Sequence, residues 1–221
     1  SMGLGICEDI WSPVGPITVQ RQAGAELIVN INASPFHAGK NFQREKMIST
    51  RASDNELFVA YLNCVGGQDE LVFDGDSMVI GANGEVVARG PAFEETLLMV
   101  DLDIEEVFRS RLRESSPRKE TPTILHEIGE SKTVHVSGHL PQDRKPLEDT
   151  GLARSLDPVE EVYRALVLGT KDYLGKTGFS KALIGLSGGV DSALTATVAV
   201  DALGSENVVG IAMPSRYSSE G

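Results

Sequence analysis

The sequence predicts an α/β protein built on parallel strands, and three observations support that class. Two runs rich in β-branched and apolar residues, Leu27–Ala33 and Leu57–Val65, read as strands, and the polar stretch Gly39–Asn55 between them suits a helix. A further apolar run, Ala182–Leu186, passes through a glycine-rich turn into the small and apolar stretch Ala193–Leu203. Gly204 closes that stretch, and another apolar run, Val208–Met213, follows. Strand, turn, helix and strand in that order begin a βαβ unit. Composition agrees, because 41% hydrophobic and 24% charged residues among 221 are ordinary for a globular chain.

The remaining elements follow in chain order. Leu4–Cys7 reads as the end of a strand. Leu71–Phe73 and Ser77–Gly81 are expected as short strands joined by Asp74-Gly75-Asp76. Asn83-Gly84, flanked by Val79-Ile80 and Val86–Ala88, is a strong hairpin signal. Leu97–Leu102 is expected as a strand and Ile104–Arg113 as a short charged helix. Such a mixture of buried strands, hairpins and helices is a layered α/β arrangement. The texture changes at Glu114, where Pro117, Pro122, Pro141 and Pro146 punctuate a polar segment without aromatics. That segment reads as a connection holding one strand at Thr133–Val136. Asp157-Pro158-Val159-Glu160 then supplies an N-cap, a proline at N1 and an acid at N3. The helix is expected to reach about Leu174, to bury Val159, Val162, Leu166 and Tyr173, and to stop at Gly175. The organisation is therefore 1–113, a connection 114–156, and 157–221.

A net charge of −12 argues against a nucleic-acid or anionic-membrane partner, although a local basic pocket for a nucleotide is compatible with it. No run reaches the length of a membrane span, and no signal-peptide pattern is visible. Two cysteines, Cys7 and Cys64, are too few for a disulfide framework, so a cytoplasmic, reduced chain is expected, with Cys64 a core thiol on a strand. Both ends are abrupt, which fits a piece of a longer protein. His135 and His139 have helical metal-ligand spacing, but Gly138 and the surrounding prolines argue against a helix there; no role follows for His37 or His126.

The most informative segment is Ser187-Gly188-Gly189-Val190-Asp191-Ser192, between the strand and the helix. A strand–glycine turn–helix gathers free backbone N–H groups at the positive end of a helix dipole. Gly188 and Gly189 let the backbone approach an anion, and the hydroxyls of Ser187 and Ser192 can donate to phosphate oxygens. A carboxylate beside polyphosphate is repulsive unless a cation lies between them, so Asp191 calls for Mg²⁺. No lysine follows the glycines, so this is not the Walker A pattern. The bland alternative is a ligand-free βα turn. The hexapeptide resembles the PP-loop of ATP pyrophosphatases, which cleave ATP between its α- and β-phosphates. That resemblance implies an ATP site over Gly185, Leu186 and Ser187–Ser192, with Met213 against adenine and Arg216 near phosphate. Strand-end packing and a solvated loop charge are the alternatives for the last two.

Cys7 lies in Gly5-Ile6-Cys7-Glu8-Asp9-Ile10-Trp11. A cysteine ending a strand before a tight turn presents its sulfur at a sheet edge. Glu8 and Asp9 disfavour a thiolate by like-charge repulsion, so activating groups must come from elsewhere, and on the residues alone a structural cysteine competes with a nucleophile.

The segment resembles the nucleophile segment of the nitrilase superfamily. Asn30–Lys40 (NINASPFHAGK) and Tyr61–Ile80 (YLNCVGGQDELVFDGDSMVI) extend the match, the latter being very like the amidase domain of the glutamine-dependent NAD⁺ synthetase family. Val208–Gly221 resembles that family's segment after its PP-loop. The resemblance implies the C-terminal part of a nitrilase-like α/β/β/α sandwich, followed by the start of a Rossmann-like PP-loop domain. It implies Cys7 as the nucleophile toward glutamine, with Glu8, Ser34 and Lys40 as glutamine contacts. Lys40 supplies charge for the α-carboxylate without a bidentate fork. A solvated turn carboxylate and a surface charge are the competing readings of Glu8 and Lys40. The family's triad adds a Glu and a Lys that precede the cysteine, so neither falls within this sequence, and Lys46 and Glu45 do not replace them. The resemblance further implies ATP, Mg²⁺ and nicotinic acid adenine dinucleotide as ligands, ammonia as the shared intermediate, and a homo-oligomer. Competing readings are another PP-loop amide ligase and a non-catalytic assembly unit.

Overall fold

The computed structural model describes residues 1–113, 131–138, 145–147, 152–212 and 214. The chain forms two units: the first comprises 1–34, 39–64 and 75–155, and the second 35–38, 65–74 and 156–221.

In the first unit, β1 (Met2–Ile6), β2 (Leu27–Asn32) and β3 (Phe58–Asn63) run parallel, and β6 (Met78–Ile80) and β7 (Val86–Arg89) extend the sheet antiparallel in the order β1-β2-β3-β6-β7. The Asn83-Gly84 step forms the expected turn, with Gly84 at φ +85°. Helices α1 (Pro16–Gln22) and α2 (Lys40–Asn55) cover one face. The core between them contains Ile10, Ile17, Ile28, Ile48, Ala52, Val59, Tyr61 and Ile80. Each of the isoleucines and Val59 contributes about 1.5–3 kcal/mol on burial. Gly3 and Gly5 belong to this covered face because a Cβ there would lie 2.3 Å from Gln20 Oε1 and 2.4 Å from Asn30 Oδ1. The opposite face is covered at Phe58 by α3 (Glu105–Arg113), through Val107 with Leu102 and Ile104. Elsewhere on that face Met2, Leu4 and Ile6 remain 61%, 60% and 72% exposed.

In the second unit, β4 (Val65–Gln68) and β5 (Leu71–Asp74) form an antiparallel hairpin. The hairpin packs on α4 (Pro158–Thr177). Gly67 N–H donates to Asp172 Oδ2 at 2.7 Å and Gly67 C=O accepts from Lys176 Nζ. The parallel pair β8 (Ala182–Leu186) and β9 (Val208–Ala212) is linked by α5 (Val190–Leu203), which gives the expected βαβ order. Tyr163 on α4 donates to Asp201 on α5 at 2.5 Å, and this bond, with burial and the carboxylate charge, holds the phenol above its usual range.

Several expectations are corrected. Leu97–Leu102 forms no strand, because no strand among the described residues pairs with it; Leu102 packs against Phe58 and Val107. Thr133–Val136 forms no strand and is exposed. Leu71–Phe73 and Ser77–Gly81 do carry strands, in separate sheets: β5 pairs β4, while β6 pairs β3 and β7. The helix capped by Asp157 continues through Gly175 to Thr177, because Gly178, at φ +83°, supplies the left-handed stop. Val159, Val162, Leu166 and Tyr173 are not buried; Glu161 and Ala165 are. Cys64 is exposed in the link between β3 and β4, its N–H donating to Asn32 C=O at 3.1 Å and its C=O accepting from Gly75 at 2.9 Å. Among the described residues no helix is long and apolar enough to cross a membrane.

Candidate functional site

The carboxyl ends of β1, β2 and β3 lie side by side, the position where open parallel sheets bind ligands. β1 ends at Ile6, opposite Ile31, and Cys7 opens a 3₁₀ turn, Cys7–Ile10. Cys7 is half-buried at φ +45°, a conformation that a non-glycine residue adopts only under local constraint. Three contacts supply that constraint. Ile6 N–H donates to Asp9 Oδ2 at 2.8 Å, Asn30 Nδ2 donates to Cys7 C=O at 3.3 Å, and Arg51 donates to Ile10 C=O at 3.1 Å and Trp11 C=O at 2.9 Å. The thiol is thus carried on a strained strand-end turn, as a nucleophile requires.

Glu8 is exposed in the same turn. Ser34, buried just past the end of β2, has its backbone gripped by Asn63: N–H to Oδ1 at 2.8 Å and C=O from Nδ2 at 3.2 Å. Lys40 is the first residue of α2, half-buried behind Gly39 at φ +77°. Among the acids of this unit, Asp9 accepts from the Ile6 N–H, and Glu45 and Asp76 pair with Arg89. Burial alone would lower Arg89; Asp76 and Glu45 outweigh it, and the guanidinium is held above its usual range.

In the second unit the Ser187–Ser192 loop is knitted by its own hydroxyls. Ser192 Oγ accepts from Ser187 N–H at 3.3 Å and donates to Gly189 C=O at 3.0 Å, and the two hydroxyl oxygens lie 3.2 Å apart. Gly188 is at φ +81°, and no atom lies within 4 Å of where its Cβ would be; a Cβ on Gly189 would have only Ser187 Oγ near it, at 3.5 Å. The loop is therefore open on its glycine side. Gly189 caps α5, whose first turn carries the exposed Asp191. Gly185 and Leu186, the last residues of β8, are exposed beside it. Met213, Arg216, His126 and His139 lie outside the described residues. Among the described residues no group of three or more His, Cys, Asp or Glu could hold a metal ion, and Asp191 stands as a single exposed carboxylate.

Sequence reasoning missed Asn30, Asn32, Asn63, Asp9 and Arg51. The signal for the asparagines was present: they sit at covered positions of apolar strands, where a polar side chain calls for a reason.

Fold and site together define an α/β protein with a cysteine at a strand-end turn in one unit and an open, glycine-rich strand–helix loop in the other. The carbon-nitrogen hydrolase family model matches residues 1–111, half of the sequence, and the chain belongs to that family. The NAD synthase model matches residues 162–221. A glutamine-dependent NAD(+) synthetase of Aquifex aeolicus is 47% identical, over 99% of this chain and 37% of that protein. One of Thermotoga maritima is 45% identical over the same shares. The solved glutamine-dependent NAD⁺ synthetase of Acinetobacter baumannii, in complex with ADP, superposes with a TM-score of 0.75 at 33% identity, covering 99% of this chain and 34% of that one. The chain thus spans a little over a third of the length of the curated relatives it matches.

Proposed function

We propose that this chain carries parts of the two sites of a glutamine-dependent NAD⁺ synthetase. The observation that carries the reading is the order of a strained Cys7 elbow and an open Ser187–Ser192 cradle in one chain similar along 99% of its length to such enzymes. In the first site Cys7 Sγ attacks the side-chain amide carbon of glutamine. The C–S bond forms, the C–N bond breaks, and the nitrogen takes a proton and leaves as ammonia. Water then cleaves the thioester to glutamate and restores the thiol. Ser34 and Glu8 bind the substrate, and Lys40 pairs with its α-carboxylate.

In the second site a carboxylate oxygen of nicotinic acid adenine dinucleotide attacks the α-phosphorus of ATP, and pyrophosphate leaves. Ammonia attacks the acyl carbon, AMP leaves, and NAD⁺ forms. The backbone and hydroxyls of Ser187–Ser192 hold the pyrophosphate, with Gly185 and Leu186 beside the nucleotide, Met213 against adenine and Arg216 near phosphate. Asp191 would hold Mg²⁺, which supplies charge neutralisation to the leaving group. A helix N-terminus contributes only about 0.3–1 kcal/mol per surface charge, so the loop depends on that cation. ADP in the Acinetobacter baumannii relative supports a nucleotide here. Self-association rests on the family resemblance, and a cytoplasmic location on two cysteines being too few for a disulfide framework.

The test uses the complete gene product. Cys7→Ala should abolish NAD⁺ formation driven by glutamine while leaving that driven by ammonium, and Asp191→Ala should abolish both. Glutamine-driven synthesis surviving Cys7→Ala would overturn the reading.

A further inference from the structure

Three asparagines interrupt the apolar side of the sheet beneath the Cys7 elbow. Asn30 is 0% exposed, Asn32 6% and Asn63 9%. Aliphatic side chains at these strand positions would avoid the desolvation that a buried amide incurs. The amides instead form a connected set. Asn30 Nδ2 donates to Cys7 C=O at 3.3 Å and to Asn32 Oδ1 at 2.8 Å. Asn32 Nδ2 donates to Asn30 C=O at 2.8 Å and to Leu62 C=O at 2.9 Å, tying β2 to β3. Asn63, next after Leu62, clamps both backbone polar groups of Ser34. The orientation of the Asn30 amide is dictated by its neighbours: both are acceptors, so a flipped amide would set oxygen against oxygen. Gly5 leaves the room this requires, since a Cβ there would lie 2.4 Å from Asn30 Oδ1.

We propose that Asn30 and Asn63 are positioning residues that fix the Cys7 elbow and the Ser34 backbone in one frame. The proposal rests on the reading of Cys7 as nucleophile and Ser34 as glutamine contact. The two ends of the set act differently. Asn30 holds the peptide that aims the thiol, so its loss weakens attack. Asn63 holds the residue that binds substrate, so its loss weakens binding.

The experiment is steady-state glutamine-driven and ammonium-driven NAD⁺ synthesis by the complete gene product, with iodoacetamide alkylation of Cys7 as a second readout. Asn30→Ala should lower kcat with glutamine and slow alkylation by about tenfold or more, with KM little changed. Asn63→Ala should raise KM for glutamine about tenfold with kcat little changed, and Asn63→Asp, which keeps the acceptor for Ser34 N–H, should recover part of that loss. Ammonium-driven rates should stay within about twofold, reporting intact folding. Gly5→Ala, which displaces Asn30 without removing it, should reproduce the Asn30→Ala pattern if that variant folds poorly. Unchanged kcat, KM and alkylation in folded variants would overturn the proposal, and so would a parallel fall of both activities, the mark of a merely structural role. The Cys7→Ala result decides the underlying reading separately.

Discussion

At the scale of single residues, Arg89 shows why a charge tolerates the interior of the first unit. It is buried on β7, its Nη1 lies 3.1 Å from Asp76 Oδ1, and its Nη2 donates to Glu45. Removing one partner of a buried pair leaves an uncompensated charge and typically costs about 3–5 kcal/mol. Asp76 stands at φ +48°, a conformation asparagine also accepts, so Asp76→Asn deletes the charge without disturbing the backbone. Because Glu45 remains, the expected loss is at the low end, about 3 kcal/mol, read as a lower urea midpoint for the first unit. A loss under about 0.5 kcal/mol would show the pair to be no better than a surface ion pair. Arg111 illustrates the opposite balance. Burial first, and then the like charge of Arg21, hold its guanidinium below the usual range, while it donates to Ala25 C=O and Glu56 C=O.

At the scale of elements, close packing in the second unit depends on glycine. Gly66 is at φ +140°, and a Cβ there would lie 2.9 Å from Asp172 Oδ2; one on Gly169 would lie 3.0 Å from Val72 Cγ2. Gly66→Ala should therefore combine backbone strain with displacement of Asp172 and destabilise the hairpin by about 1–3 kcal/mol. Faster amide hydrogen exchange confined to β4 and β5 would record it, and unchanged protection would contradict it. The strands and helices themselves were legible in sequence, because their patterns are local: β2, α2, the Asn83-Gly84 hairpin and the β8–α5–β9 unit all fall where periodicity and turn residues put them. Pairing was less legible. Nothing in Leu71–Phe73 says that its partner is β4 rather than the next strand, since register is decided by contacts distant in sequence. Helix ends were similarly ambiguous, because Gly175 and Gly178 both qualify and only the left-handed residue stops α4. For the candidate site, Cys7, Ser34 and the Ser187–Ser192 loop were visible as motifs. The asparagines that support the first two were visible only as polar breaks in apolar strands; their partners were not, because an amide on a strand declares its partner only once neighbouring strands are paired.

At the scale of the whole chain, the first unit builds the elbow but leaves its surroundings open. β1 turns Met2, Leu4 and Ile6 to an uncovered face, joined by Ile31 and Leu62. Of the acids in the first unit, Asp9 is engaged with the Ile6 amide and Glu45 with Arg89, while Glu8, beside the thiol in sequence, is exposed to solvent. A thiol without a base is only a few per cent thiolate at neutral pH, and general acid–base assistance is worth about 10²–10⁴-fold in rate. Positioning alone therefore leaves Cys7 well short of a working nucleophile toward an amide, a far poorer electrophile than an alkylating reagent. The 221-residue chain incubated with glutamine is expected to release no glutamate above a Cys7→Ala control, while iodoacetamide still labels its half-buried thiol. Glutamate release lost on Cys7→Ala would overturn this, because it would show that these 221 residues supply a sufficient base by themselves.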